Sequence, residues 1–369
     1  MLKQAYASSL AARPVNRSAR PIRLMIVDDS MVARAVLSRM VEADGGFEIV
    51  AVAGTAEDAI EALVHVEVDI VLLDLEMPGA GGLKSIPRIL DAGRGARVMI
   101  VSSLAEEGAE ETVAALALGA ADTLPKPGTG RFNGRFSEVL LARLRALGPA
   151  SIDRRSSGGD YSARAASGVP GLRSMSSARL ELLALGASTG GIHALGSFFQ
   201  HLPRRIEAPI LVTQHLPPAF MTVFARQLGV AAGRPALVAE EGMTLVNDTL
   251  FIAPGDAHLT IEPGPSGYSV RLLRHAVASG CMPSVDPMFA SVGAMLGRHA
   301  VGVVLSGMGR DGVQGAAKLV ACGGAVLAQD EASSAVWGMP KSIVDAGLAA
   351  AILPPDQLAR RLAGRCEGR

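Results

Sequence analysis

The segment Leu180–Gly191, LELLALGASTGG, decides how this chain is read. A short apolar run, Leu182–Leu185, breaks at Gly186-Ala187-Ser188-Thr189-Gly190 and passes into apolar residues at helical spacing: Ile192, Leu195, Phe199 and Leu202. Strand, tight turn and helix in that order are the repeating unit of an α/β sheet. The turn fits G-x-S-x-G, a geometry that lifts a serine hydroxyl clear of the sheet and aims backbone amides and a helix N-terminus at whatever the serine attacks. A turn of this composition also serves as a helix cap or a phosphate cradle. Ser188 is therefore a nucleophile only if the chain supplies a base, and an acid to orient that base.

Two further apolar runs supply candidates. Ala208–Thr213 (APILVT) leads into Gln214-His215-Leu216-Pro217-Pro218, and the two prolines forbid continuation of a central strand, so His215 sits at a strand end. Val301–Leu305 breaks at SGMGRDG (306–312) ahead of a helical pattern over Val313–Cys322, which puts Asp311 just before a helix. Taken alone, Asp311 reads as an N-cap. A serine, a histidine and an acid at the carboxyl ends of three strands can, however, meet in one crevice. His215 would then be general base to Ser188, and Asp311 would fix the imidazole tautomer and stabilise its cation. The amides after Ser188 and the glycines around Met308 are candidates for an oxyanion hole. Other histidines compete: His193 lies inside the helix after Ser188, His201, His258, His275 and His299 fall in loops or polar ends, and His65 belongs to the N-terminal half. His193 and His258 are the main rivals.

The N-terminal half alternates apolar runs with helical patterns five times. The runs are Arg23–Val27, Phe47–Ala53, Asp69–Leu73, Arg97–Val101 and Ala121–Leu124, with amphipathic segments such as Met31–Val41 and Thr112–Leu118 between them. This is the pattern of a parallel sheet covered on both faces. Asp28, Asp29, Asp74, Ser102 and Lys126 all fall at strand ends. Each alone is a plausible cap or solvated loop charge. Three carboxylates converging on one crevice repel unless a hard cation joins them, and Mg²⁺ suits a site of few protein oxygens, water and a phosphate. A hydroxyl and a lysine beside them suit phosphoryl oxygens.

Length and composition frame these sites. A chain of 369 residues is long enough for two domains, and 49% apolar residues with 42 glycines fit an α/β fold. The three cysteines, Cys281, Cys322 and Cys366, are widely spaced and fit neither a disulfide framework nor a C-x-x-C metal site, which points to a reducing, cytoplasmic setting. Charge is balanced at 35 basic and 35 acidic residues, giving no nucleic-acid footprint. No apolar run approaches the roughly 20 residues of a membrane span, so no membrane insertion is expected. Residues 1–21 carry Lys3, Arg13, Arg17 and Arg20 without an acid and read as a disordered tail. Residues 148–179, rich in Ser, Gly, Ala and Arg, read as a flexible tether between a domain over 22–147 and another over 180–369.

Several of these stretches carry a family resemblance. LMIVDDS (24–30), LLDLEMP (72–78), Val101–Ser102 and Lys126–Pro127 resemble the two-component receiver domain over about Ile22–Leu140. The resemblance implies a (βα)5 flavodoxin-like fold in which Asp74 is the phosphoacceptor. It also implies that Asp28 and Asp29, with the Glu76 carbonyl, bind Mg²⁺, that Ser102 is the switch hydroxyl and that Lys126 contacts the phosphoryl group. Receivers usually carry an aromatic three residues before that lysine, and this chain has Thr123 there. From Leu180 to Leu362, the motifs GASTGG, QHLPPAF, IAPGDAHL, MPSVDPMF, SGMGRDG and GGAVLAQDEASSAVWGMP follow the order of the CheB family of chemotaxis methylesterases.

That likeness implies a doubly wound, mostly parallel α/β methylesterase domain. Ser188, His215 and Asp311 would be its triad, with Thr189 and the Met308 backbone at the oxyanion. Its implied substrates are methyl-esterified glutamates, and some glutamines, of chemoreceptors. The implied phosphodonor is a CheA-type histidine kinase, and no cofactor is implied for the hydrolysis itself. Two other classes stay open: an output domain that binds phosphate or nucleotide without catalysis, and an esterase or amidase acting on another protein. The spacing of Gly186, Gly190 and Gly191 does not fit a G-x-G-x-x-G dinucleotide fingerprint.

Overall fold

The computed structural model describes residues 20–79, 81–103, 106–126, 134–148 and 171–366. The basic tail up to residue 19 and the tether over 149–170 lie outside the described residues.

The N-terminal domain holds β1 (Ile22–Val27), β2 (Phe47–Ala53), β3 (Ile70–Leu73), β4 (Arg97–Ser103) and β5 (Asp122–Lys126). They form one parallel sheet in the order β2-β1-β3-β4-β5. Its helices are α1 (Met31–Glu42), α2 (Ala56–His65), α3 (Gly82–Ala92), α4 (Glu106–Ala117) and α5 (Gly134–Leu147). Strand β3, IVLL, is buried at every residue, as a central strand covered on both faces must be. Ser30 starts α1 by accepting a hydrogen bond from the Ala33 amide, and Thr55 starts α2 by accepting one from Asp58. The strand order reverses between β1 and β3, which opens a crevice at their carboxyl ends.

The C-terminal domain is built on a seven-stranded, all-parallel sheet. Its strands are β6 (Leu182–Ala187), β7 (Ile210–Gln214), β8 (Ala236–Val238), β9 (Leu250–Ile252), β12 (Ala300–Val304), β13 (Ala325–Gln329) and β14 (Ala349–Leu353). The order is β14-β13-β12-β6-β7-β9-β8. An antiparallel hairpin, β10 (His258–Gly264) and β11 (Gly267–Leu273), stands apart from it. The helices used below are α6 (Gly191–His201), α7 (Pro218–Ala232), α8 (Val285–Leu296) and α9 (Val313–Ala321). The sheet winds in opposite directions from β6, toward β7 on one side and β12 on the other, so the carboxyl ends of these strands frame a second switch-point crevice.

Three features differ from the sequence expectation. His258, expected in a loop, is fully buried as the first residue of β10. The far end of the expected tether lies on the C-terminal domain: the Arg173 amide donates to the Ala349 carbonyl at 2.9 Å, and Met175 packs on the core. Arg20, expected in the tail, is paired with Asp69 at 2.9 Å. Among the described residues, no helix is long and apolar enough to cross a membrane.

The two domains share a continuous apolar core. Helix α4 lies against α6 and α7, and Ala109, Val113 and Leu116 belong to the same buried cluster as Ile192, Leu195 and Phe224. Polar ties rim this contact. Arg226 pairs with Glu110 at 2.6 Å, and His193 donates through Nδ1 to the Ala117 carbonyl at 3.2 Å. The latter accounts for His193, one of the two rival bases.

Candidate active site

Strand β6 delivers Ser188 one residue past its end. The Ser188 amide donates to the Ser306 carbonyl at 3.0 Å, and its carbonyl accepts from Gln214 Nε2 at 2.9 Å and from the Gly191 amide at 2.8 Å. Ser188 then needs two glycines around it. Gly190 has φ +75°, and a Cβ there would lie 2.4 Å from Ala335 Cβ. At Gly307 a Cβ would lie 2.9 Å from Ser188 Cβ, so only glycine lets the loop after β12 come this close to the serine.

Strand β7 delivers His215, whose amide donates to the Ala187 carbonyl at 3.1 Å. Asp311, on the loop between β12 and α9, is 1% exposed. His215 Nε2 and Asp311 Oδ2 are 2.9 Å apart. The carboxylate is held from two more directions: the Ser284 hydroxyl donates to Oδ1 at 2.6 Å and the Val285 amide to Oδ2 at 2.7 Å. Burial alone would raise this carboxyl; the hydrogen bond and charge of His215, with Ser284 and Val285, outweigh it and hold the group at about 2. An ionised Asp311 can only accept, so in the neutral form of the ring Nε2 carries the proton and Nδ1 keeps its lone pair.

Ser188, Thr189, Gln214, His215 and Met308 line one small cleft of about 120 Å³. Among the described residues, Ser188 Oγ has no hydrogen-bond partner, and no backbone carbonyl takes the amides of Thr189 or Met308. Catalytic hydrogen bonds of the serine–histidine type often tighten only once substrate is present. The chemistry open to such a cleft is acyl transfer: a hydroxyl, an imidazole with a free lone pair held by a buried carboxylate, and two unengaged N–H donors.

The opposite wall of the cleft comes from the other domain. Leu116, Ala120, Ala121, Asp122, Thr123 and Arg143 line it. The Gly190 amide donates to the Ala121 carbonyl at 2.6 Å, and the Thr189 hydroxyl donates to Asp122 Oδ2 at 3.2 Å. Burial pushes the Asp122 carboxyl up, against the pull of Arg143 at 2.9 Å, the Thr123 amide and the Thr189 hydroxyl. Thr123 thus stands in the interdomain wall, with its carbonyl accepting from Arg143 at 2.5 Å.

Residues missed in the sequence stand one layer behind His215 and Asp311. Ser284 caps α8 and holds Asp311. Behind it, the Ser284 amide donates to His258 Nδ1 at 3.0 Å, which leaves Nε2 of His258 to donate to the His275 carbonyl at 2.8 Å. His258, the second rival base, is thus a fully buried support beneath Asp311. The N-cap pattern of Ser284 before Val285 and Asp286 was the available signal, but nothing in it names the acid it touches.

In the N-terminal domain, ligand atoms of Asp28, Asp29 and Asp74 lie within 4.8 Å of one another at the β1–β3 crevice. Lys126 Nζ reaches Asp28 at 2.9 Å and Asp74 at 2.5 Å. Burial, reinforced by Asp28, pushes the Asp74 carboxyl up despite Lys126; burial opposes the lysine's charge, but Asp74 and Asp28 push its pKa up. Asp28 and Asp74 are buried, whereas Asp29 is exposed. This all-oxygen set with an open side fits a hard divalent cation that keeps several waters. The Glu76 amide donates to Asp74 Oδ1 at 3.3 Å. Ser102 is buried at the end of β4, with its hydroxyl 3.4 Å from that of Thr112.

With this geometry in place, the relatives are informative. The family model described as CheB methylesterase matches residues 183–362, and that of the response regulator receiver domain matches residues 24–131. The chain is 39% identical over 93% of its length to a Caulobacter vibrioides protein named protein-glutamate methylesterase/protein-glutamine glutaminase 2, covering 99% of it. It is 36% identical over 92% of its length to a Paramagnetospirillum magneticum protein named protein-glutamate methylesterase/protein-glutamine glutaminase 1, covering 94% of that protein. The crystal structure of the Thermotoga maritima CheB methylesterase catalytic domain is similar at 32% identity and a TM-score of 0.48, over 50% of this chain and 97% of that one.

Proposed function

This chain belongs to the CheB methylesterase family and carries a response regulator receiver domain ahead of the esterase; from that premise we propose that it hydrolyses glutamate methyl esters on chemoreceptors and deamidates glutamines there, under control of receiver phosphorylation. We assign 22–147 to the receiver, 148–179 to the connection and 180–369 to the esterase.

The pairing of His215 with Asp311 beside Ser188 carries this reading. Ser188 Oγ attacks the side-chain carbonyl while Nδ1 of His215 takes its proton, and Asp311 stabilises the imidazolium. The oxyanion rests on the Thr189 and Met308 amides. His215 returns the proton to the departing methanol, or to ammonia from glutamine, and water then hydrolyses the glutamyl-serine ester. In the receiver, Asp74 accepts the phosphoryl group from a CheA-type histidine kinase. Asp28, Asp29, Asp74 and the Glu76 carbonyl would hold a Mg²⁺ ion, which would supply positive charge to phosphoryl oxygens, and Ser102 and Lys126 contact the phosphorylated aspartate. Adaptation in chemotaxis, in the cytoplasm, is the setting this activity serves.

The test is methanol release from methylated receptor membranes, with and without a small phosphodonor. Ser188→Ala abolishes release in both conditions, whereas Asp74→Ala keeps a low basal rate that the phosphodonor does not raise. Full release by Ser188→Ala would overturn the triad.

A further inference from the structure

Cys281 is half-buried, and its ligand atom lies with those of His215 and Asp311 inside a group whose members are all within 4.8 Å of one another. The acyl-transfer reaction described above has no use for a thiol there. Its one hydrogen-bond contact as a donor is weak, from Sγ to the Ser279 carbonyl at 3.8 Å. Nitrogen, sulfur and a carboxylate oxygen converging from three separate segments form a donor set suited to zinc, with water completing a tetrahedron.

We propose that His215, Cys281 and Asp311 form an inhibitory site for Zn²⁺ or a similar thiophilic divalent ion, and that the bound ion switches the esterase off. Binding replaces the Cys281 thiol proton, which passes to water, with a metal–sulfur bond. It also engages a nitrogen of His215. If that nitrogen is Nδ1, the lone pair that would take the Ser188 proton is lost; if it is Nε2, the hydrogen bond to Asp311 is lost. Either outcome removes the general base. Burial, with the Asp311 charge adding to it, pushes the Cys281 thiol up, so the ion must displace a firmly held proton. A soft-ligand ion such as Zn²⁺ does this; Mg²⁺, which prefers oxygen, does not. The same chain thus separates two metals by donor type, a hard ion at Asp28, Asp29 and Asp74 and a thiophilic ion at the esterase cleft.

The inhibition rests on His215 and Asp311 acting as proposed above, whereas the binding does not, and the test separates the two. The full-length protein, in excess Mg²⁺, is titrated with Co²⁺ as a spectroscopic probe. The expected result is a near-ultraviolet thiolate-to-cobalt band, absent in Cys281→Ala, retained in Cys322→Ala and displaced by one equivalent of Zn²⁺. Methanol release is followed in parallel. At Zn²⁺ ten times its dissociation constant, about one-tenth of the rate remains, and a chelator restores it. Loss of an outer partner of a metal ligand already weakens binding about 10- to 100-fold, so loss of the thiol shifts the inhibition midpoint by at least about tenfold. No band, an unchanged band in Cys281→Ala, or equal inhibition of wild type and Cys281→Ala overturns the site. A Cys281-dependent band with full activity overturns the switch and leaves the triad assignment standing.

Discussion

Thr189, the residue next to Ser188, donates its hydroxyl hydrogen to Asp122, the first residue of the last receiver strand, at 3.2 Å. The Ser188 loop is therefore fastened to the receiver domain by a side chain as well as by the Gly190–Ala121 backbone bond. A hydrogen bond to a charged acceptor contributes about 1.5–3 kcal/mol. Asp122→Ala removes it and shifts the population toward the open cleft. The basal rate of the unphosphorylated enzyme should rise about tenfold, since about 1.4 kcal/mol is a factor of ten. Methanol release without phosphodonor checks this; an unchanged or lower rate in a folded variant would refute the fastening.

Asp311 sets an acid boundary. Its folded value of about 2 lies below the ordinary 3.8. A depressed carboxylate contributes stability above the unfolded value, here on the order of 2 kcal/mol, and loses it as pH falls through the folded value. The stability gap between wild type and Asp311→Asn should be constant above about pH 5 and shrink toward pH 2, as read from urea unfolding at several pH values. In the same variant kcat should fall on the order of 10³- to 10⁴-fold. A gap that grows toward low pH would contradict the assignment.

Ser284 is a positioning residue. Its hydroxyl bond to Asp311 Oδ1, at 2.6 Å, fixes the carboxylate that fixes His215. Ser284→Ala should lower kcat by about tenfold or more, the equivalent of one hydrogen bond to a charge, and leave KM unchanged. Ser284→Thr should recover much of the rate because it keeps the hydroxyl. An effect confined to KM would place Ser284 at the substrate instead.

Mg²⁺ binding separates two roles in the receiver crevice. Asp29 is the exposed member of the carboxylate trio, so Asp29→Asn should weaken Mg²⁺ binding at least about tenfold by removing a charged oxygen ligand. Lys126→Ala should strengthen it, because the lysine ammonium at Asp28 and Asp74 competes for the same oxygens. Isothermal titration gives both affinities. Weaker binding in Lys126→Ala would mean that the lysine organises the site more than it competes for it.

What the sequence disclosed follows a physical line. Ser188, His215 and Asp311 stand at the ends of fully buried strands or just beyond them, and a buried parallel strand announces itself as an unbroken apolar run closed by a turn. The receiver carboxylates were legible for the same reason. Ser284, His258 and Gln214 were not: their roles depend on contacts between segments 26 to 27 residues apart, which no local period encodes. His258 misled because a histidine beside Gly255 and Asp256 reads as a loop residue, whereas its two ring nitrogens are both satisfied in the core. The interdomain wall was hardest to see. Asp122 and Thr189 are 67 positions apart, and Asp122 reads as an ordinary strand-edge charge until α4 docks on α6 and α7.

Strand β5 is only five residues long, yet Asp122 at its start holds the Ser188 loop and Lys126 at its end holds Asp74. About 13 Å of extended chain joins the two events. Coupling through so short a rod has a reciprocal side: if phosphorylation of Asp74 favours an open cleft by some factor, a ligand that holds the cleft open must favour phosphorylated Asp74 by the same factor at equilibrium. Filling of the Ser188 cleft should then be legible at Asp74, as a larger phosphorylated fraction at equilibrium with a fixed amount of phosphodonor.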